Sequence, residues 1–293
     1  MFTCNVCGTG NLSPARPLAR EEPSCGNCGS TVRTRALLRA LSLELFGVAL
    51  TLGEFPRVKS LTGLGTSDPA QYSDRLSEKF DYRNTFYHRE PRFDIVNPPT
   101  HELGRYDFIV CSEVLEHVVP PVEAAFASIF RLLEPTGFLL MTVPYSIEAS
   151  MKEHYPDAHE FGFVTLSGRV TLVNRTRAGQ VQLFADPVFH IGWGGGALEM
   201  REFTEASLGE VLASTGFPSV RIYSEDDTAF GIRHAEQWSL PIVARKSNSF
   251  SFPAEAVRDL VEYYRDAKRE RDRQFQRYER SYWVRAGRKF GLV

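Results

Sequence analysis

Two groups of residues carry types and spacings that do chemistry. The first is a set of cysteines, Cys4-x2-Cys7 followed by Cys25-x2-Cys28. Each short loop turns two thiols the same way, and two such knuckles complete a tetrahedron around Zn²⁺. Gly8 and Gly29, next to Cys7 and Cys28, supply the backbone freedom such turns need. Two disulfides or independent thiols are the alternatives to this reading. Four thiolates leave no open coordination position, so the spacing predicts a structural zinc with Cys4, Cys7, Cys25 and Cys28 as ligands. Cys111, inside an apolar run, reads as a packed thiol.

The second group is Glu113-Val-Leu-Glu116-His117. Glu113, Glu116 and His117 stand at i, i+3 and i+4, which gathers them on one face if the segment is helical. Two carboxylates and an imidazole can serve as a general acid/base cluster, as ligands for a second divalent ion such as Mg²⁺, or as structural caps. His154, His159 and His190 lie in a long segment that follows an apolar strand. Of these, His154 is placed with Glu113, Glu116 and His117 as a catalytic candidate. Either His117 or His154 is the expected base.

These groups need a frame to position them. Thr31 reads as the cap of a helix carrying Leu37, Leu38, Leu41 and Leu45. Val58 to Thr62 reads as a strand running into a Gly63-Leu-Gly65 turn, with a helix from Asp68 to Phe80. Asn84–His88 and Arg92–Val96 are short strand candidates. Tyr106–Cys111 and Gly137–Val143 are near-continuous apolar strands, the pattern of a sheet covered on both faces. Val122–Leu133 reads as a helix between them. Thr204–Thr215 (helix), Ser219–Tyr223 (strand) and Trp238–Ala244 (strand) follow. This alternation implies a mostly parallel α/β sheet, with ligands at the carboxyl ends of its strands. An acid after the second strand, such as Glu90, can accept hydrogen bonds from ribose hydroxyls. Asp68 stands where a dinucleotide fingerprint requires its third glycine.

The segment from Tyr106 to Val143 strongly resembles class I S-adenosylmethionine-dependent methyltransferases. The resemblance is carried by Tyr106-Asp107, by Glu113–His117, and by Arg131-Leu-Leu-Glu-Pro-Thr-Gly137, and it extends over about residues 57–245. It implies a Rossmann-like methyltransferase sheet with S-adenosylmethionine bound over Gly63 and Gly65. It further implies Glu90 on the ribose, Asp94 and Ile95 framing the adenine, and Ser112 beside the cofactor. In some relatives, small-RNA 2′-O-methyltransferases and ubiquinone-pathway O-methyltransferases among them, the segment equivalent to Glu113–His117 binds metal. The chain departs from the family pattern in three places, one of them a compressed stretch from strand two to strand four. Leu61-Thr62 replace the acid before the first glycine, and Ser67 replaces the third glycine.

The expected organisation is a zinc ribbon over 1–30, a methyltransferase domain over 31–250 with a substrate insertion at 145–200, and a long charged C-terminal helix over 251–293. Residues 254–293 carry 11 Lys/Arg and 7 Asp/Glu. Such a helix fits a twin subunit, a membrane surface or solvent. The 293 residues are 43% hydrophobic with a net charge of −2, which excludes a disordered chain and a strongly basic nucleic-acid coat. No run is long and apolar enough to span a bilayer, and no leader pattern opens the chain, so the expected location is cytoplasmic. The expected reaction is O-methylation of a small molecule or sugar. The rivals are an RNA methyltransferase that docks through the ribbon and a non-catalytic cofactor-fold binding protein.

Overall fold

The computed structural model describes residues 1–13, 16, 18–148, 150–166, 168–192 and 195–280. The first cysteine knuckle is flanked by the antiparallel pair β1 (Phe2–Thr3) and β2 (Gly10–Asn11), and α1 (Val32–Phe46) follows the second knuckle. Thr31 caps α1, its hydroxyl accepting from the Thr34 amide at 3.2 Å. Then come β3 (Thr62–Thr66), α2 (Ala70–Lys79), β4 (Asp81–Thr85), β5 (Tyr106–Ser112), α3 (Glu123–Leu132) and β6 (Leu133–Thr142). Seven short strands of the insertion and one just after it follow. These are β7 (Tyr145–Ser146), β8 (Lys152–Glu153), β9 (Glu160–Leu166), β10 (Arg169–Arg175), β11 (Val181–Ala185), β12 (Phe189–Gly192), β13 (Gly195–Leu198) and β14 (Arg201–Thr204). The chain closes with α4 (Glu205–Thr215), β15 (Ser219–Ile222), β16 (Ile242–Arg245) and α5 (Ala254–Arg280).

The central sheet has six strands in the order β15-β16-β6-β5-β3-β4. Strands β4, β3, β5 and β6 are mutually parallel, and β16 runs antiparallel to both its neighbours. Every residue of β5 is buried, because alternate side chains enter two different cores. Phe108 and Val110 join Phe138 and Leu140 against α1 and α2, while Ile109 and Cys111 join Leu139 and Met141 against α3 and α4. This is why the strand reads as continuously apolar. The buried Cys111 thiol is pushed up to about 12 by desolvation.

Several sequence expectations are corrected. Gly63 and Gly65 lie inside β3 rather than in a turn after it. The second strand is Asp81–Thr85, displaced toward the N-terminus from Asn84–His88. Arg92–Val96 forms no strand and pairs only through a single bridge between Phe86 and Arg92. The Asp94 carboxylate accepts from the Val96 amide at 2.9 Å, a local turn that competes with strand pairing. Nor does the ribbon carry a separate small core. Phe2, Cys4, Val6 and Cys25 pack in the same cluster as Leu37, Leu38 and Leu41 of α1.

Within the insertion, β9, β10 and β11 form an antiparallel sheet, β12 and β13 a hairpin, and β14 lies between β7 and β8. Arg177-Ala-Gly179 lies in the turn between β10 and β11, with Gly179 at φ 82°. Trp193 and Gly194, in the glycine-rich stretch 192–196, lie outside the described residues, as does 281–293 of the charged C-terminal segment. Among the described residues, no helix is long and apolar enough to cross a membrane.

Candidate functional site

The carboxyl end of β5 delivers Ser112 and then Glu113, whose backbone turns left-handed at φ 55°. That reversal separates Glu113 from the 3-10 turn Leu115–His117, so the three chemical side chains do not share a helical face. The expectation from i, i+3, i+4 spacing is therefore corrected. Glu113 instead meets Arg20, with Nη2 to Oε1 at 2.7 Å and Nη1 to Oε2 at 3.2 Å. Burial alone would raise the Glu113 carboxyl, but the Arg20 and Arg33 charges hold it at about 2. Ser112 accepts from Arg33 Nη1 at 2.6 Å and lies 2.8 Å from Thr142 Oγ1.

Glu116 points the other way. It is fully buried, and neither carboxylate oxygen has a hydrogen-bond partner. Two imidazoles stand just beyond hydrogen-bond range of Oε1, His190 Nδ1 at 3.5 Å and His117 Nε2 at 3.6 Å. Burial raises the Glu116 carboxyl, and the neighbouring carboxylate raises His190. His117 Nδ1 lies 2.8 Å from the Leu198 carbonyl. A carbonyl only accepts, so Nδ1 carries the proton and Nε2 faces Glu116 with its lone pair when the ring is neutral. Glu116, His117 and His190 bring ligand-capable atoms within 4.8 Å of one another.

The insertion is pinned onto this turn. The Met200 amide donates to the Glu116 carbonyl at 2.8 Å. The buried Arg201 donates to the Leu115 carbonyl at 2.8 Å and to Glu153 Oε1 at 2.6 Å. These bonds bring the β12–β13 hairpin, and His190 with it, over the end of β5. His154 belongs to a different group, its Nε2 lying 3.4 Å from both Glu199 and Glu202. His159 is exposed and joins neither group. The structure thus unites Glu116 and His117 with His190 rather than with His154.

On the other side of β5 lies the glycine segment. A Cβ at Gly63 would strike Phe108 and Tyr82, and one at Gly65 would strike Tyr82 and Asp68. Both glycines give way to these packed rings. Asp68 accepts from Tyr72 at 2.6 Å and from the Tyr82 hydroxyl, and burial lifts its carboxyl to about 6 against these bonds. Ser67 adopts φ 63°, the left-handed conformation for which a third glycine is the usual residue. Pro69 starts α2 without a side-chain cap, and the Tyr72 amide donates to the Pro69 carbonyl at 3.2 Å, which leaves the Ala70 and Gln71 amides at the helix start for an anionic group. These features fit the carboxylate end of S-adenosylmethionine. Thr62, which stands where the family usually has an acid, donates its amide to Asp107 Oδ2 at 2.8 Å.

Glu90 lies on the exposed loop after β4, and its carboxylate accepts from the Arg92 amide at 3.0 Å. Ile95 is buried against the core that holds Leu64 and Ile109. In the ribbon, Cys4 and Cys28 Sγ are 3.7 Å apart, Cys7 and Cys25 Sγ 3.6 Å, and all four lie within 4.8 Å. A tetrahedron with bonds of about 2.3 Å spaces its sulfurs by about 3.8 Å, so this donor set fits zinc.

Arg20, Arg33, Tyr72 and Tyr82 escaped the sequence reading. None belongs to a motif, and what each one touches is set by the tertiary structure.

The sequence model of a family described as a methyltransferase domain matches residues 7–218. No curated protein matches. Among solved structures, the chain is similar to the 1,6-didemethyltoxoflavin N1-methyltransferase of Burkholderia thailandensis. They share 14% identity over 73% of this chain and 79% of that one, with a TM-score of 0.39. An amino pentose methyltransferase from Micromonospora echinaspora shares 13% identity over 75% and 93%, with a TM-score of 0.40. With the family match spanning most of the sheet and its strand-end turn, the chain belongs to the methyltransferase-domain family, as a class I S-adenosylmethionine-dependent enzyme.

Proposed function

We propose that this enzyme methylates a hydroxyl oxygen of a small molecule or sugar unit held by the 145–200 insertion. One observation carries the reading. A fully buried carboxylate with two unpartnered oxygens, Glu116, stands beside His117 and His190 at the end of β5. S-adenosylmethionine supplies the electrophilic methyl group. The chain must then orient the acceptor and remove one proton. His117 Nε2 takes that proton, the Leu198 carbonyl holds the ring in the required tautomer, and Glu116 stabilises the resulting imidazolium. The cofactor lies over the Gly63–Ser67 segment, with Glu90 toward the ribose and Asp94, Ile95 and Ser112 near the base. The four cysteines hold a structural zinc.

The close approach of Glu116, His117 and His190 favours a second reading, in which the same three side chains hold a divalent ion. The ion would lower the pKa of the acceptor hydroxyl.

The test uses S-adenosylmethionine labelled in its methyl group and incubated with fractionated cell extract. Label in nuclease- and protease-resistant small molecules is the expected result. Label lost to nuclease would replace this reading with RNA methylation. Failure to bind the cofactor at all would leave a non-catalytic fold. Chelation after zinc loading separates the two versions of the proton step.

A further inference from the structure

The ribbon is joined to the catalytic edge of the sheet by one continuous set of charged contacts. Arg20 lies between the two cysteine knuckles. Its guanidinium forks onto both Glu113 oxygens at 2.7 and 3.2 Å, while Nε donates to the Ser239 carbonyl at 2.8 Å. Glu21 accepts from Arg20 at 2.6 Å and from Arg33 Nε at 2.8 and 3.0 Å. Arg33 in turn donates to Ser112 Oγ at 2.6 Å. The Arg20 carbonyl also accepts from the Arg33 amide at 3.2 Å. Six residues from the inter-knuckle segment, α1, the end of β5 and the approach to β16 therefore hold one another.

Glu113 is the point where this set matters. A glutamate at φ 55° is disfavoured by its own Cβ, so something outside the residue must keep it there. Its amide donates to the Thr142 carbonyl at 2.8 Å, and its side chain is held by Arg20. The turn carrying Glu116 and His117 begins from that reversal. Arginine suits the task because its planar fork fixes both position and orientation of a carboxylate.

We propose that Arg20 is a positioning residue for the methyltransferase site and that zinc occupancy of the ribbon controls it. The metal orders the knuckles, and the ordered knuckles present Arg20 to Glu113. Glu113 then holds the 112–117 segment in place beside the Gly63–Ser67 segment. The ribbon is on this account a wall of the active site and not an appended docking module. The inference does not depend on which acceptor is methylated or on how Glu116 and His117 work.

Amide hydrogen exchange on the full-length, zinc-loaded protein tests it, with S-adenosylhomocysteine binding as the second readout. In Arg20→Gln, exchange at residues 113–118 should accelerate at least tenfold while residues 106–111 of β5 stay protected. S-adenosylhomocysteine affinity should fall in parallel. Arg20→Lys, which restores the charge without the fork, should recover part of both. Cys25→Ser/Cys28→Ser should reproduce the Arg20→Gln pattern at 113–118. Unchanged exchange at 113–118 in Arg20→Gln would overturn the positioning role. Normal exchange there in the zinc-free variant would overturn the control by zinc. If Arg20→Gln does not fold, Glu113→Gln supplies the same comparison from the other partner.

Discussion

His190 Nδ1 stands 3.5 Å from Glu116 Oε1, and this approach closes the insertion onto the end of β5. A histidine from a hairpin and a glutamate from a strand-end turn thereby share one buried place. The insertion is held there by Met200 and Arg201, so the pair does not depend on its own weak contact. Loss of the base should show in the chemical step and not in cofactor binding. His117→Ala is expected to lower turnover by about 10²–10⁴ with S-adenosylmethionine affinity unchanged. Single-turnover kinetics with the identified acceptor would check this, and a proportional loss of cofactor affinity would count against it.

Glu113 makes stability depend on acid. Its carboxyl sits at about 2 in the folded protein against an ordinary 4.5. A depressed carboxyl stabilises the fold above its unfolded value, and the effect disappears as pH falls from 4.5 toward 2. The size at neutral pH is about 3 kcal/mol. Glu113→Gln should therefore unfold at lower urea concentration at pH 7, with the gap to wild type narrowing below pH 4.5. A gap that does not change with pH would show that the charge on Glu113 contributes nothing.

Zinc should be present at about one equivalent per chain in protein purified without added metal. Cys4→Ser or Cys28→Ser should abolish it by elemental analysis. Because Phe2, Val6 and Cys25 share a core with α1, chelation should loosen the face of α1 that packs on them as well as the knuckles. The sheet, which packs on α2, α3 and α4, should remain. Disulfides among these cysteines in the purified protein would end the claim.

Gly65→Ala should destabilise the fold by about 1–3 kcal/mol, the range for overpacking a filled site. The added methyl meets Tyr82 and Asp68, both packed and neither free to swing aside. Thermal unfolding reads this directly. A neutral result would mean that the tyrosine pair is less tightly held than its contacts imply.

Glu90→Ala should weaken S-adenosylmethionine binding by about tenfold to a hundredfold if its carboxylate meets the ribose, since a charge-assisted hydrogen bond contributes about 1.5–3 kcal/mol. Titration calorimetry decides it. Glu90 is exposed and accepts only a neighbouring amide, so the substitution leaves the core untouched. Unchanged affinity would remove it from the site.

Much of this protein is determined by local pattern. The cysteine knuckles bring their thiols together because each pair is separated by two residues and a turn. The near-continuous apolar runs at 106–111 and 137–143 read as strands covered on both faces, and Thr31 could be read as a cap from its place before a helix carrying Leu37, Leu38, Leu41 and Leu45. The resemblance carried by Glu113–His117 led to the enzyme class for the same reason, since strand, turn and helix are contiguous in the chain. Contacts between distant segments were settled by the tertiary structure alone. A left-handed backbone at Glu113, sustained by an arginine from the ribbon, sent two carboxylates three residues apart to opposite sides. The segment Arg92–Val96 lost its strand to the side-chain turn of Asp94. His190 entered the site, and His154 left it, because Met200 and Arg201 hydrogen-bond to the backbone of Leu115 and Glu116. Those bonds join residues far apart in the chain, and periodicity records only what lies within a few residues.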